Sequence, residues 1–190
     1  MTTCFIFIPI DLHHFLYLQI SLFWMYIFLI MISDNYNSEQ KQVYFKAYKK
    51  LSQLEIALKH LKEENTAGLQ VSILGKVNQF YSDQNVDISE NTTIIKKYWK
   101  GLLGETMDVG KFYIPDSGFV FVAGSLASTF LHKINGKSLA SLSSGPYGIF
   151  RGIGFSKAQA NNFLKLLKIG NYVLIVRGFE KNLKNLNIKF

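Results

Sequence analysis

Four histidines, His13, His14, His60 and His132, are the residues of this 190-residue chain best suited to proton transfer or metal binding. None has a companion nucleophile or carboxylate at a recognisable motif spacing, so the sequence predicts no enzyme. His60 and Glu64 stand one helical turn apart, but two ligands make no metal site, and a solvated helix face is the plainer reading. Cys4 is the single cysteine and sits in an apolar leader, which leaves no disulfide framework, no CxxC pair and no cysteine nucleophile in the rest of the chain. No cofactor and no metal are expected.

Three further patterns bear on binding. Residues 145–154 (GPYGIFRGIG) are glycine-rich and precede a helix, as a phosphate cradle would. They match neither GxGxxG nor the P-loop, so backbone packing is the stronger explanation. Residues 118–122 (GFVFV) put Phe119 and Phe121 on one face of a strand, like the aromatic pair that stacks bases on RNA-recognition sheets. The usual basic first position is Ser117 and the final aromatic is Gly124, and alternating Phe residues also serve as core facing a helix. Finally, Lys96, Lys97, Tyr98, Trp99 and Lys100 form a basic-aromatic run suited to an anionic membrane surface, with the rings sinking at the interface. The alternative is that Tyr98 or Trp99 packs inside while the lysines stay wet.

The elements that must position these residues fall into two chemically different segments. All lysines and arginines lie at or after Lys41, and residues 5–32 carry Asp11 as their only charge. Residues 15–32 (FLYLQISLFWMYIFLIMI) approach the about 20 residues that a membrane span needs. With Lys41, Lys46, Lys49 and Lys50 following it, such a helix would place the remainder in the cytoplasm. A start near Met31, with the leader a mis-assigned extension, is the competing reading, and the domain is then fully soluble. Residues 1–33 are thus an apolar N-terminal segment, 34–42 a linker, 43–178 the folded domain and 179–190 a C-terminal extension. The formal charge of +8 favours an anionic lipid, nucleic acid or acidic partner without choosing among them.

Within the domain, Val43, Phe45 and Ala47 alternate with polar neighbours as a first strand. Ser52 to Glu55 fits a capping box that opens a helix, with Leu54, Ala57, Leu58 and Leu61 as its buried stripe and Gly68 as its stop. Leu69, Val71 and Ile73 follow as a second strand. Ser156 to Gln159 opens another helix, with Ala160, Phe163, Leu164 and Leu167 inward and Gly170 as the stop, before an apolar strand at 172–177. The insertion at 78–154 is too long for a loop and must be structured. It holds a helix at 91–103, a strand at 111–114, a turn, and a strand at 119–123 that supplies the third core strand.

Small residues then recur at Gly136, Ala140, Ser144, Gly148 and Gly152, although Gly145-Pro146 breaks any single helix across them. Such spacing suits close helix approach, in a membrane or in a soluble helical hairpin. His132, Lys133, Lys137 and Arg151 favour the hairpin, because charge is costly in lipid. Gly148 and Gly152 therefore join Lys96 to Lys100 as the candidate interaction surface. The run at 180–190 reads equally as a short helix or a strand.

Phe112 to Ala127 (FYIPDSGFVFVAGSLA) resembles the IPG-x-G-P-V-x-V-A-G-P-L-A segment of the bacterial heat-induced general stress protein family. Residues 145–178 resemble that family too, in the order of a glycine-bearing helix, a helix cap, a helix and a final strand. The resemblance covers residues 41–178 and none of the leader. It departs where Phe119 and Ser125 replace proline after glycine, and where Thr129 to Lys133 replaces an alanine- and glycine-rich stretch. It implies an α+β, ferredoxin-like β-α-β, β, α-β core with a glycine-containing helical insertion; the apolar N-terminal helix ahead of it is read from the composition of the leader. The resemblance implies a stress-associated protein and supplies no catalytic residue; the reading is a non-catalytic interaction protein, either self-associating through its sheet edge or small-residue hairpin or attached to a membrane through residues 15–32. Nucleic-acid binding through a basic surface and an exposed aromatic strand is the alternative, and small-molecule ligands stay open.

Overall fold

The computed structural model describes residues 25–26, 41–64, 68–85, 87, 92–115 and 117–184. The chain divides into two compact units, Met1–Gln40 and Lys41–Phe190. In the first, Met25 and Tyr26 are helical and exposed; the expected apolar helix at 15–32 otherwise lies outside the described residues. Among the described residues, no helix is long and apolar enough to cross a membrane.

The second unit opens with β1 (Lys41–Tyr48), α1 (Leu51–Glu63), β2 (Gln70–Lys76) and α2 (Val77–Asp83). It continues through α3 (Thr93–Leu103), β3 (Val109–Ile114), β4 (Gly118–Gly124) and α4 (Ala127–Leu131). A small ribbon follows, β5 (Lys133–Ile134) and β6 (Lys137–Ser138), then a 3-10 turn at Leu139–Ser141. The last elements are α5 (Gly145–Gly152), α6 (Lys157–Lys168), β7 (Tyr172–Phe179) and α7 (Glu180–Lys184).

Five strands form one sheet in the order β1-β7-β2-β4-β3, with every neighbouring pair antiparallel. Phe45 lies opposite Ile175, Val71 opposite Val176 and Leu74 opposite Val122. The last strand is thus inserted between the two strands of the β1-α1-β2 unit. Mixed α+β architecture and the expected β-α-β, β, α-β succession are present; the ferredoxin-like detail is not confirmed.

The difference lies in the layers. Ile73, Phe121, Ala123, Leu174 and Val176 pack on one face with Leu54, Leu58 and Leu61 of α1, Phe80 of α2 and Trp99 of α3. Leu74, Val120, Val122, Val173 and Ile175 pack on the other with Phe130 of α4, Phe150 of α5 and Phe163 of α6. Both faces of β4 and β7 are therefore buried, which is why these strands read as nearly continuous apolar runs instead of alternating ones. A sheet with two apolar faces needs helices on both.

Local signals fared unevenly. The Ser156 capping box forms in both directions, Gln159 N donating to Ser156 Oγ at 3.2 Å and Ser156 N to Gln159 Oε1 at 2.8 Å. The Ser52 box does not form: α1 begins at Leu51, so Ser52 is already inside the first turn. The carboxylate of Asp83, at the end of α2, instead accepts the Leu51 N-H at 3.3 Å.

The expected helical hairpin is also replaced. Asn135 and Gly136, with φ of 50° and 79°, make the two-residue turn of the β5-β6 ribbon, so of the small residues at 136, 140, 144, 148 and 152 Gly148 and Gly152 alone share a helix, α5. In the C-terminal extension the first residues are helical as α7, with Leu183 buried, and residues 185–190 lie outside the described residues.

Candidate interaction surfaces

On α3 the buried positions are Ile95 and Trp99, with Leu102 packed against the same core. That i, i+4, i+7 stripe fixes the helix's rotation. Trp99 is 0% exposed and stacks on Phe121 at 5.3 Å between ring centroids. Its indole Nε1 is buried without a hydrogen-bond partner among the described residues. Tyr98 is half-buried; its ring meets Phe80 edge-on at 5.1 Å and its hydroxyl donates to the Glu55 carboxylate on α1. Lys96 and Lys97 are exposed and Lys100 is half-buried. The structure thus separates this run: its lysines face water, Trp99 belongs to the core, and Tyr98 ties α3 to α1.

Gly148 and Gly152 are exposed, and a Cβ at either would meet nothing among the described residues within 4 Å. They do not mediate close packing inside the domain. Gly145 does, since a Cβ there would lie 2.0 Å from the Leu139 carbonyl oxygen. Residues 145–152 are themselves a helix, in which packing accounts for Gly145 but not for Gly148 or Gly152.

The aromatic pair expected at 119 and 121 is split by the reach of α3. Phe121 is fully buried beneath Trp99, whereas Phe119, two places earlier on the same face, is 50% exposed. Its companion is Tyr113, directly opposite on β3 and also 50% exposed, with ring centroids 5.4 Å apart. Lys111 Nζ sits 5.2 Å from the Phe119 centroid, within cation-π range. Ile114 pairs with Gly118, leaving the three residues 115–117 between the strands and setting Tyr113 opposite Phe119; the four-residue turn expected at 115–118 would have set 114 there.

A polar cluster occupies the α1 N-terminus. Asp83 accepts hydrogen bonds from Leu51 N, from Tyr172 Oη at 2.9 Å and from Gln79 Nε2 at 2.8 Å. Burial, and then the neighbouring Asp83 carboxylate, push the Tyr172 phenol well above its ordinary value; burial and Glu55 do the same to Tyr98. Both hydroxyls are therefore fixed donors. This cluster joins α1, α2, α3 and β7, and its bonds are accounted for within the fold.

The other sequence candidates stay apart. His60 faces Glu63, not Glu64, at 3.7 Å on the open side of α1. His132 is exposed after α4. Among the described residues, no three His, Cys, Asp or Glu side chains are grouped to hold a metal. Cys4, His13 and His14 lie outside the described residues.

The segment that resembles the stress-protein pattern has a mechanical part. Gly124 has φ of 99°, and a Cβ there would lie 2.2 Å from the Val71 carbonyl oxygen. Ser125, in place of proline, gives its N-H to Val71 O at 3.0 Å, while buried Ser72 accepts the Leu126 N-H at 2.9 Å. Glycine permits the approach and the two serines satisfy the backbone there. No protein-family model, no curated protein and no solved structure matches the chain.

Proposed function

We propose that the chain is a non-catalytic, stress-associated interaction protein that works through the edge of its sheet. The observation that carries this reading is the Tyr113-Phe119 pair, two adjoining half-exposed rings on the hairpin whose β3 strand ends the sheet. Isolated exposed apolar residues are ordinary, but adjoining aromatics beside an edge strand offer both main-chain hydrogen bonds and an apolar seat. The partner is an extended strand, most simply from a second copy. The stress association comes from the resemblance over residues 41–178 alone.

Light scattering on the full chain in non-ionic detergent tests this, with Tyr113→Glu as the edge variant. A dimer that the variant dissolves is expected. A protein that stays monomeric, captures no partner and leaves stress survival unchanged on deletion would overturn the reading.

Nucleic-acid binding is the second reading, favoured by Lys111 beside the half-exposed Phe119 and by the basic charge. Filter binding to single-stranded RNA at moderate salt, with no affinity below the micromolar range, removes it. Attachment to the membrane through residues 15–32, with the domain in the cytoplasm, is tested by the native N-terminal peptide. A start at Met1 supports the anchor; a start near Met31 removes it.

A further inference from the structure

Positive charge is concentrated on one face of the sheet. Residues 117–179, which include all of α4, α5 and α6, hold seven Lys and Arg and no Asp or Glu, whereas residues 41–116 hold eleven against nine. Six of the seven side chains are exposed: Lys133 and Lys137 on the β5-β6 ribbon, Arg151 on α5, and Lys157, Lys165 and Lys168 on α6. The ribbon leads into Ala140, which is buried in the same cluster as Phe150 of α5 and Phe163 of α6. Among the described residues none of the six pairs with a carboxylate. Glu55, Glu63 and Asp83 belong to α1 and α2, on the opposite face. Uncompensated like charges on one surface repel one another, and an anionic partner relieves that repulsion.

The outer side of α6 gives the charge a spacing. Lys157, Asn161, Lys165 and Lys168 fall at i, i+4, i+8 and i+11, away from the buried Ala160, Phe163 and Leu167. Lys157 and Lys168 are thus about 16 Å apart along the helix axis, on the scale of the major groove of duplex DNA, about 12 Å wide. Between them Gln159, Asn161 and Asn162 are exposed amides, side chains of the kind that hydrogen-bond phosphate and sugar. On α5, Arg151 lies between Gly148 and Gly152, which add no side chains beside it. Its guanidinium gives a hydrogen bond to Phe155 O and has further donors to offer.

Other anionic partners fit this face less well. A membrane surface calls for large apolar side chains that sink below the head groups. Helices α5 and α6 expose none, and Ile134 in the ribbon and Ile169 past the end of α6 are single residues. A single-stranded nucleic acid calls for aromatic rings on which its bases stack, and no aromatic side chain from 120 to 179 is exposed.

We propose that the α5-α6 face, together with the ribbon, binds the phosphate backbone of duplex DNA without reading its sequence. Surface and partner both differ from the strand-stacking reading above. None of the six side chains belongs to β3 or β4, so the sheet-edge dimer stands or falls separately.

Fluorescence anisotropy of the full chain in non-ionic detergent, with a labelled DNA duplex of mixed sequence over a salt series, tests this. The logarithm of affinity should fall linearly with the logarithm of salt, with a slope of about 0.9 for each phosphate neutralised. Lys157→Gln, Lys165→Gln and Lys168→Gln together, which keep good helix formers on α6, should reduce that slope by about 2 to 3. The control removes the same charge from the other face: Lys59→Gln, Lys62→Gln and Lys96→Gln, at exposed positions of α1 and α3, should leave the slope unchanged. Equal losses from the two triple variants overturn the proposal, because net charge alone would then be acting. Tighter binding of a single strand of the same length overturns it as well. So does the absence of duplex binding at low salt, and flotation with phosphatidylserine vesicles would then make a membrane the partner.

Discussion

Replacing Trp99 separates a core residue from a surface one. Its side chain is fully buried, stacked on Phe121 and tilted against Phe80 at 6.2 Å. Truncation to alanine removes the whole indole from a close-packed layer and should cost about 3–5 kcal/mol. Phenylalanine is different. It keeps a ring on Phe121, forfeits roughly 1–2 kcal/mol of apolar burial, and abolishes a buried N-H that has no acceptor among the described residues. Such an unmet donor costs about 1–3 kcal/mol, so Trp99→Phe should lie within about 1 kcal/mol of the wild type. Urea unfolding followed by far-ultraviolet circular dichroism is the assay, since Trp24 would confuse fluorescence. At a slope near 2 kcal/mol per molar, alanine should lower the midpoint by about 2 M and phenylalanine by under about 0.5 M. An unmoved midpoint for Trp99→Ala would put the ring back on a surface beside Lys96, Lys97 and Lys100. Equal losses for both variants would refute the argument about the orphaned N-H.

Two glycines should respond with opposite signs. Gly148→Ala, in an open helical position, should stabilise by about 0.5–1 kcal/mol, whereas Gly145→Ala should destabilise by about 1–3 kcal/mol against the Leu139 carbonyl; thermal unfolding of both decides. The phenols of Tyr98 and Tyr172 should impose a falling stability in alkali. Their folded values are raised above 10.0, so the folded state holds protons that the unfolded state releases. The stabilisation is complete below pH 10.0 and is lost as pH rises beyond it. Urea midpoints across that range should drop more steeply for the wild type than for the Tyr98→Phe, Tyr172→Phe double variant; parallel curves would count against the network.

Where sequence reading succeeded, the determinant was local. The Ser156 box needs only Gln159 three residues on, and the stripe of Ala160, Phe163 and Leu167 needs only the helical period. Where it failed, the determinant was elsewhere in the chain. Ser52 lost its role to Asp83, a carboxylate 32 positions from Leu51 whose place depends on α2 following β2 without a loop. The period of two correctly sets Phe119 and Phe121 on one face, but cannot say where a covering helix ends. The position of α3 makes one of them core and leaves the other open. The Asn135-Gly136 turn was a local signal, obscured by the spacing of small residues around it. Trp99 was legible too, since Ile95, Trp99 and Leu102 share a helical face, and a cluster of lysines says nothing about the rotation of the helix beneath it.

A sheet buried on both faces confines contacts with other molecules to its edges, its uncovered ends and the outer sides of its helices. Each edge carries a lysine close to an aromatic ring: Lys41 near Phe179 and Lys46 near Tyr48 at β1, and Lys111 near Phe119 at β3. Charged residues on edge strands guard against indiscriminate pairing. If β3 edges meet in a dimer, two copies of Lys111 approach one another, and that repulsion is screened by salt within a Debye length of about 8 Å at physiological ionic strength. Sheet-edge association should therefore strengthen as salt rises. Binding to a nucleic acid must do the reverse, because each lysine that neutralises a phosphate releases a counterion, and affinity falls with salt. One light-scattering series and one filter-binding series over the same salt range thus give opposite slopes for the two functions. A dimer that dissociates as salt rises would refute the edge mechanism, because attraction between opposite charges and not apolar strand pairing would then hold the copies together.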